Sequence, residues 1–573
     1  MAPPLKTQKY IGLSVLFLLN CLLSSTFIIF ESQWYVFLFV LGVSTFLYAC
    51  SSVLIVGQRM TATDEPKTHR TQSRNYMYLM PCYNESEQEI THTLSSLVIQ
   101  QTVPADTRSL MIMCDGIVQG QDNTETTDKI LLRVLNIVTI CDFFQYTTWD
   151  GLDNLLRVYK GIYKNTLPYI LLIKFTNYGK RDSLVLARRL CFAYNQLCPT
   201  TRIISKDEPT LFGHILEDLH YIYKGQSIDY IIGTDADTEF AYECSYALIQ
   251  GIEKEDGIYG CVGYVDIAPQ MPSWHPFVVY QYAEYNVAQC LRRLAQSILT
   301  KKVNCLSGCV QILRVSQETC GIEIMRAFNV LPIQSDILSH IRSYASEDRN
   351  HVCLMLSMYP YVKTTQALDA IAYTIVPTSL KVFLSQRRRW NLGANANDIL
   401  LIYLPGINVF ERISAFINVM TFCLSPFINV ATAVFLHSLI TEPTTLMLYL
   451  SILMIIPFGY SLLVPIFIKP LSFRQSLYYY ASRVFLLATT PFINTITFGY
   501  SLWNMDDLTW GKTRTLTTTT TTVLPDQILE TEPASSSPTL SIDNELHGPI
   551  YNDRWNTRQL SEFYFEEFVT TTV

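Results

Sequence analysis

Charge is scarce in this sequence. Of 573 residues only 16% are Asp, Glu, Lys or Arg, against about 25% in an ordinary soluble protein. The shortage is concentrated in a few long apolar runs, which is the pattern of membrane spans rather than of an oily soluble core. A basic surplus is also absent. The 42 basic and 49 acidic residues leave a formal charge of −7, which argues against a nucleic-acid partner. The 15 cysteines show no paired spacing. Cys305 and Cys309 have no companions at ligand spacing, so the thiols read as reduced, facing cytosol or lipid, and a zinc site is not expected.

The apolar runs organise the chain. Residues 11–30 carry no charge, and twenty helical residues span roughly 30 Å, a hydrocarbon core. A second run, 34–56, follows at once, which disfavours a cleaved signal peptide. Two further spans are expected at about 411–438 and 444–468. The connecting turns, Glu31-Ser32-Gln33 and Thr441-Glu442-Pro443, lack Lys and Arg, while Lys6, Lys9, Arg59, Lys67, Arg70, Arg412, Lys469 and Arg474 flank the other ends. The positive-inside rule then places residues 59–370, and both termini, in the cytosol. The Asn84-x-Ser86 sequon is for that reason read as unused.

Residues 371–408 read as interfacial helices ahead of the 409–470 spans. Residues 471–514 are apolar but broken by Arg474, Arg483, Pro491 and Asn494, and read as an interfacial or re-entrant helix pair followed by a loop. From 515 to 573 the Thr-, Ser- and Pro-rich chain is expected to be disordered.

Between the membrane runs, strands are expected at 75–80, 109–114, 168–174, 229–234, 258–264 and 370–376, with helices at 181–196 and 277–299. This alternation predicts an α/β domain with a mainly parallel sheet covered on both faces. Ligands bind such sheets beyond the carboxyl ends of the strands. Polar motifs fall there: Pro81-Cys82-Tyr83-Asn84-Glu85-Ser86, Cys114-Asp115-Gly116, Gly179-Lys180-Arg181-Asp182 and Asp235-Ala236-Asp237. An Asp pair at a strand end often only caps a turn. Four such motifs on one edge are harder to explain that way.

The chemistry follows from charge. Asp235 and Asp237 could hold Mg²⁺ or Mn²⁺, hard cations that prefer carboxylate oxygen. Lys180 and Arg181 could hold phosphates or a base, and Asp115 and Glu85 could accept from a nucleoside. Downstream, Glu347 and Asp348 open a helical pattern. Either could be no more than a cap, while the functional reading makes Asp348 a general base. Gln386-Arg387-Arg388-Arg389-Trp390 taken alone reads as a basic, aromatic collar at a membrane surface.

Taken in order, these motifs resemble the chitin synthases, among the processive family 2 glycosyltransferases, from about Asn75 to Arg514. Ser307-Gly308-Cys309, Glu347-Asp348-Arg349 and Trp510-Gly511-Lys512-Thr513-Arg514 complete the set. The resemblance implies a GT-A-like fold, a UDP-N-acetylglucosamine donor, a chitin oligomer or polymer as acceptor, and a lipid bilayer around the spans. A homo-oligomer is compatible with it, and the membrane would be the plasma membrane or that of a secretory vesicle.

It assigns the donor to Pro81, Tyr83, Glu85, Asp115, Lys180, Arg181, Asp235, Gln386, Arg388 and Arg389, and the metal to Asp235 and Asp237. It assigns the base to Asp348 beside Glu347, and the acceptor to Ser307, Gly308, Cys309 and Trp390. Residues Trp510, Gly511, Lys512, Thr513 and Arg514 would form a gating loop. Two places depart from the family pattern: Ser307 stands where proline is usual, and Asn391-Leu392-Gly393-Ala394 is atypical.

The rivals are a hyaluronan-type synthase, which needs a second donor, and a catalytically dead scaffold subunit. A scaffold would be expected to lack an acidic motif residue, and none is missing. A transporter is disfavoured because ionisable residues inside the spans are nearly absent.

Overall fold

A computed structural model describes residues 5–29, 42–61, 70, 72–120, 123–138, 141–198, 211–332, 336–507 and 547–551. The described residues fall into two compact units. One, the sheet unit, contains Gln72–Glu239 and Leu313–Leu331. The other, the helical unit, contains Phe240–Ile312 and Pro332–Thr509 together with the described residues before Thr71. The stretch 59–370, expected as one domain, therefore contributes to both.

In the sheet unit, strands Asn75–Cys82, Thr107–Cys114, Leu167–Lys174 and Tyr230–Gly233 run parallel. They are nearly continuous apolar runs, as strands buried on both faces must be. The sheet is not parallel throughout. Strand Asp153–Tyr163 pairs antiparallel with Leu167–Lys174, and Cys141–Thr147 pairs antiparallel with it in turn. The first turn of this meander carries Gly151 at φ 84°, but the turn that joins its second and third strands lacks glycine, and the meander went unforeseen. Lys164 and Asn165 take φ of 47° and 55°, the positive values of a primed hairpin turn.

In the helical unit, Ile258–Ile267 pairs parallel with Lys363–Thr374. The helix expected over 277–299 is α-helical over Pro276–Val287 and continues as π-helical turns at Ala288–Arg293 and Gln296–Thr300.

Among the described residues two helices are long and apolar enough to cross a membrane, Leu5–Ile29 and Thr445–Ile468, and there are three such spans if the bent pair Val409–Cys423 and Ser425–Thr441 is one broken span. The expected count of four is not reached among the described residues. Residues 30–41, at the start of the second expected span, lie outside them, and helix Val43–Thr61 does not meet the same criteria. The expected span 411–438 is two helices, Val409–Cys423 and Ser425–Thr441, bent by 81°.

Pro426 near the start of the second helix explains the break, because proline has no N–H to continue the ladder. Asn20 of the first helix satisfies the backbone groups the break exposes. Its Nδ2 donates to the Cys423 carbonyl at 2.9 Å, and its Oδ1 accepts from the Phe427 N–H at 3.0 Å. In lipid, such groups need an internal partner. Phe27, Phe427, Phe435 and Leu450 pack around this junction. The stretch expected as an interfacial or re-entrant helix pair is one continuous helix, Phe473–Trp503, with Pro491 inside it.

Candidate functional site

The parallel register of the sheet unit brings its strand ends together. Cys82 pairs with Cys114 and Leu79 with Gly233, so Tyr83–Glu85, Asp115 and Asp235–Asp237 leave the sheet at one edge. The Asp115 N–H donates to the Cys82 carbonyl at 2.8 Å, and the Thr234 N–H to the Leu79 carbonyl at 3.0 Å. Gly116 must be glycine. Its φ is 93°, and a Cβ there would meet the Asn177 nitrogen at 3.0 Å.

Asp115 is fully buried in an ionic network. Lys174 Nζ lies 3.2 Å from Asp115 Oδ1, 2.6 Å from Asp182 Oδ2 and 2.8 Å from Ser183 Oγ. Asp182 also accepts from the Tyr146 hydroxyl at 2.6 Å and from the Trp149 N–H at 2.8 Å. Burial opposes the Lys174 ammonium, but the two carboxylates outweigh it and its pKa is raised. Burial pushes Asp115 above the usual carboxylate range, against the pull of Lys174. Asp115 Oδ2 has no hydrogen-bond partner among the described residues. It is a buried acceptor still to be satisfied.

Lys174, Tyr146 and Trp149 were not foreseen as site residues. The available signal was a lysine closing the otherwise apolar strand Leu167–Lys174.

Lys180, expected on the donor, forms an ion pair with Asp235 at 2.7 Å. Arg181 is placed differently from the expectation. It is buried, donates to the Phe328 carbonyl at 2.5 Å, and stacks on Phe328 and Trp149. Its guanidinium anchors the helix Lys180–Leu197 to the core rather than opening toward a ligand. Pro81 is a buried strand residue. Glu85 Oε2 accepts from the Tyr83 N–H at 2.7 Å, which holds the loop in shape.

Among the described residues no cluster of three or more His, Cys, Asp or Glu is arranged to hold a metal. The pair Asp235 and Asp237 fits a hard cation that draws the rest of its shell from phosphate and water. The side chain of Asp235 is 37% exposed and so open to such a ligand.

In the helical unit, Asp348 lies in the first turn of helix Glu347–Met358. Its Oδ2 accepts from the Gly308 N–H at 3.0 Å, joining the expected base to the Ser307-Gly308-Cys309 loop. Arg293 Nη2 donates to Ser307 Oγ at 3.0 Å and holds the loop from its other end. Glu347 is buried. The base helix is locked to helix Leu380–Tyr403 by Arg349–Asp398 at 2.5 Å and Asn350–Asn397 at 3.0 Å. Gly393 permits this approach, since a Cβ there would come within 2.4 Å of Ser346 Cβ.

Helix Leu380–Tyr403 carries Gln386 to Trp390 and sorts them by its 3.6-residue period. Arg387 and Trp390 are three apart and share a face. The Arg387 guanidinium lies 4.2 Å from the Trp390 ring centroid, pairs with Glu284, and donates from Nη1 to the side-chain oxygen of Gln386 at 2.8 Å. Trp390 is 42% exposed and tilts against Tyr285. Arg387, not foreseen as a site residue, thus orients both Gln386 and Trp390. Arg388 is buried and pairs with Asp507 at 2.5 Å, and Arg389 is half-buried. Residues Trp510 to Arg514 lie outside the described residues.

A family model described as chitin synthase matches residues 51–528. Chitin synthase 8 from Gibberella zeae is 37% identical over 445 residues, covering 76% of this chain and 66% of that one. Chitin synthase 8 from Verticillium dahliae is 31% identical, covering 72% of each chain. Chitin synthase 6 from Mycosarcoma maydis is 29% identical and much longer, so that the chain spans 38% of it. Among solved structures, a mannosyltransferase from Pyrobaculum calidifontis is similar at 11% identity and a TM-score of 0.39, covering 82% of this chain and 97% of that one. That likeness does not carry the assignment, which rests on the family model.

Proposed function

The chain belongs to the chitin synthase family, and on that premise we propose that it transfers N-acetylglucosamine from UDP-N-acetylglucosamine to a growing β-1,4 chain and passes the product across a bilayer. The observation that carries the reading is the Asp348–Gly308 hydrogen bond, which joins the expected base to the expected acceptor loop.

In the proposed reaction Asp115 Oδ2 accepts the N–H of uracil, and the Lys174 network keeps that carboxylate in place. Lys180, which pairs with Asp235 in this structure, would hold donor phosphate. Mg²⁺ or Mn²⁺, held by Asp237 with Asp235, would neutralise the diphosphate leaving group.

The acceptor 4-hydroxyl attacks the anomeric carbon, its proton passes to Asp348, and the bond from C1 to the UDP oxygen breaks with inversion. Gly308 N–H fixes the Asp348 carboxylate for that transfer. Arg388 and Arg389 stabilise departing UDP, and Trp390 stacks on the apolar face of the acceptor sugar. The basic residues Arg59, Lys469 and Arg474 favour a cytosolic catalytic domain.

The test is purified full-length protein in detergent with radiolabelled UDP-N-acetylglucosamine and Mn²⁺. A chitinase-sensitive polymer is expected from this single donor, and its absence would sink the reading. Asp348→Asn should lower turnover by about 10²–10⁴-fold, the usual contribution of a general base, while UDP still binds.

A further inference from the structure

Helix Phe473–Trp503 runs out into a turn that ends in two carboxylates, Asp506 and Asp507. Each is held by a cation from a different element. Asp506 Oδ1 lies 2.7 Å from Lys9 Nζ of the first helix. Asp507 Oδ2 lies 2.5 Å from Arg388 Nη1. Met505, one residue earlier, packs with Ile337, Ile341, Leu392 and Ala396. The turn is therefore pinned beside Arg388.

The two members of the Arg388–Asp507 pair differ in exposure. The Arg388 side chain is 3% exposed and that of Asp507 is 44%. A half-exposed carboxylate can turn into water at little cost. A buried guanidinium left without an anion is strongly disfavoured. Arg388 is thus committed to having an anionic partner at all times, whereas Asp507 is not committed to Arg388. Arg388 Nε also has no hydrogen-bond partner among the described residues. The guanidinium thus keeps donor capacity that Asp507 leaves unused. A diphosphate, with several acceptor oxygens, could take both edges of the fork.

We infer that Asp507 is an internal stand-in for the donor's diphosphate. It occupies Arg388 while the donor is absent and is released to solvent when UDP or a UDP-sugar takes the guanidinium. The inference rests on Arg388 being a donor ligand. The exchange leaves the buried cation paired before and after, which is what makes it feasible. Lys9 raises the effective concentration of Asp507 at Arg388 by anchoring the neighbouring carboxylate.

The sign of the effect separates this role from a structural one. An internal competitor weakens ligand binding, so removing it should tighten binding. Removing a mere brace should leave binding unchanged or weaken it. With full-length protein, the inhibition constant for UDP and the KM for UDP-N-acetylglucosamine are measured for wild type and Asp507→Asn. Both should fall by at least about fivefold, the low end of ordinary coupling between ligands. Lys9→Gln should shift both in the same direction by less.

A folded Asp507→Asn with an unchanged or higher UDP inhibition constant overturns the inference. Amide exchange in the wild type tests it without any substitution. Saturating UDP should speed exchange at Asp507, whose N–H donates to the Asn504 carbonyl at 3.2 Å, and unchanged or slower exchange refutes the release. Failure of wild-type protein to bind UDP at all would overturn the donor reading itself. Normal UDP binding with an unmoved Asp507→Asn would overturn only the stand-in.

Discussion

Lys174→Met is the sharpest perturbation the sheet unit offers. Methionine has nearly the reach of lysine and leaves no large cavity, so the change isolates the charge. Lys174 is fully buried, and so is Asp115, while the Asp182 side chain is 3% exposed. Without the ammonium, two buried carboxylates lose their only cation within salt-bridge range among the described residues. Breaking one buried pair costs about 3–5 kcal/mol. Here Asp182 keeps the Tyr146 hydroxyl and the Trp149 N–H, and Asp115 can take up a proton, so the lower end, about 3 kcal/mol, is expected.

For a unit of this size, each kcal/mol is worth about 2–4 °C in Tm, and the expected loss is about 6–12 °C. The assay is thermal unfolding of the purified full-length protein, followed by tryptophan fluorescence. The double variant Asp115→Asn with Lys174→Met should recover part of the loss, because it removes one stranded charge together with its partner. UDP affinity should fall in the single variant, since Asp115 is no longer held at its position. A Tm shift within about 2 °C, the range of an ordinary surface substitution, would refute the reasoning. So would a double variant less stable than the sum of its parts.

Asp115 supplies the pH test. Its folded-state pKa is raised, mainly by burial, so the folded chain keeps a proton that the unfolded chain has already released. Stability from that proton is present below the ordinary carboxylate pKa and is lost as pH rises through the raised value. Melting measured from roughly pH 4 to 7 should show this downward slope in wild type and a flatter line in Asp115→Asn. Trp390→Ala should reduce polymer elongation more than donor hydrolysis in side-by-side assays, and an equal loss of both would remove its acceptor role. Gly393→Ala should displace the start of the base helix, because its Cβ would sit 2.4 Å from Ser346 Cβ. Turnover should fall by about tenfold or more, as misplacement of a reacting group by a fraction of an ångström predicts, and wild-type turnover would show that the contact relaxes freely.

The strand-end carboxylates could be read from the chain because their position follows from local pattern. An apolar run that stops at an acidic residue puts that residue at a sheet edge. Asp115, Asp235 and Asp237 are therefore where the pattern expects them, and Asp348 opens its helix as the first-turn acidic residues imply. Arg181 was misjudged for a reason of the same kind. A basic residue next to Lys180 looks like a second phosphate ligand, but helical rotation turns it about 100° away, into Phe328 and Trp149.

Composition and periodicity alone located the apolar helices Leu5–Ile29 and Thr445–Ile468 and the core parallel strands. All of these depend on residues near one another in the chain. Tertiary structure alone decided which charges meet: Lys174 with Asp115 and Asp182, Arg388 with Asp507, and Arg387 with Glu284. The partners in these pairs are up to 119 residues apart. It also decided the break at Leu424, where Asn20 satisfies backbone groups more than 400 residues distant. The physical reason is the same in each case. A buried charge or an exposed backbone group must find a partner, but that requirement does not say which one, and only the folded chain brings the partners within reach.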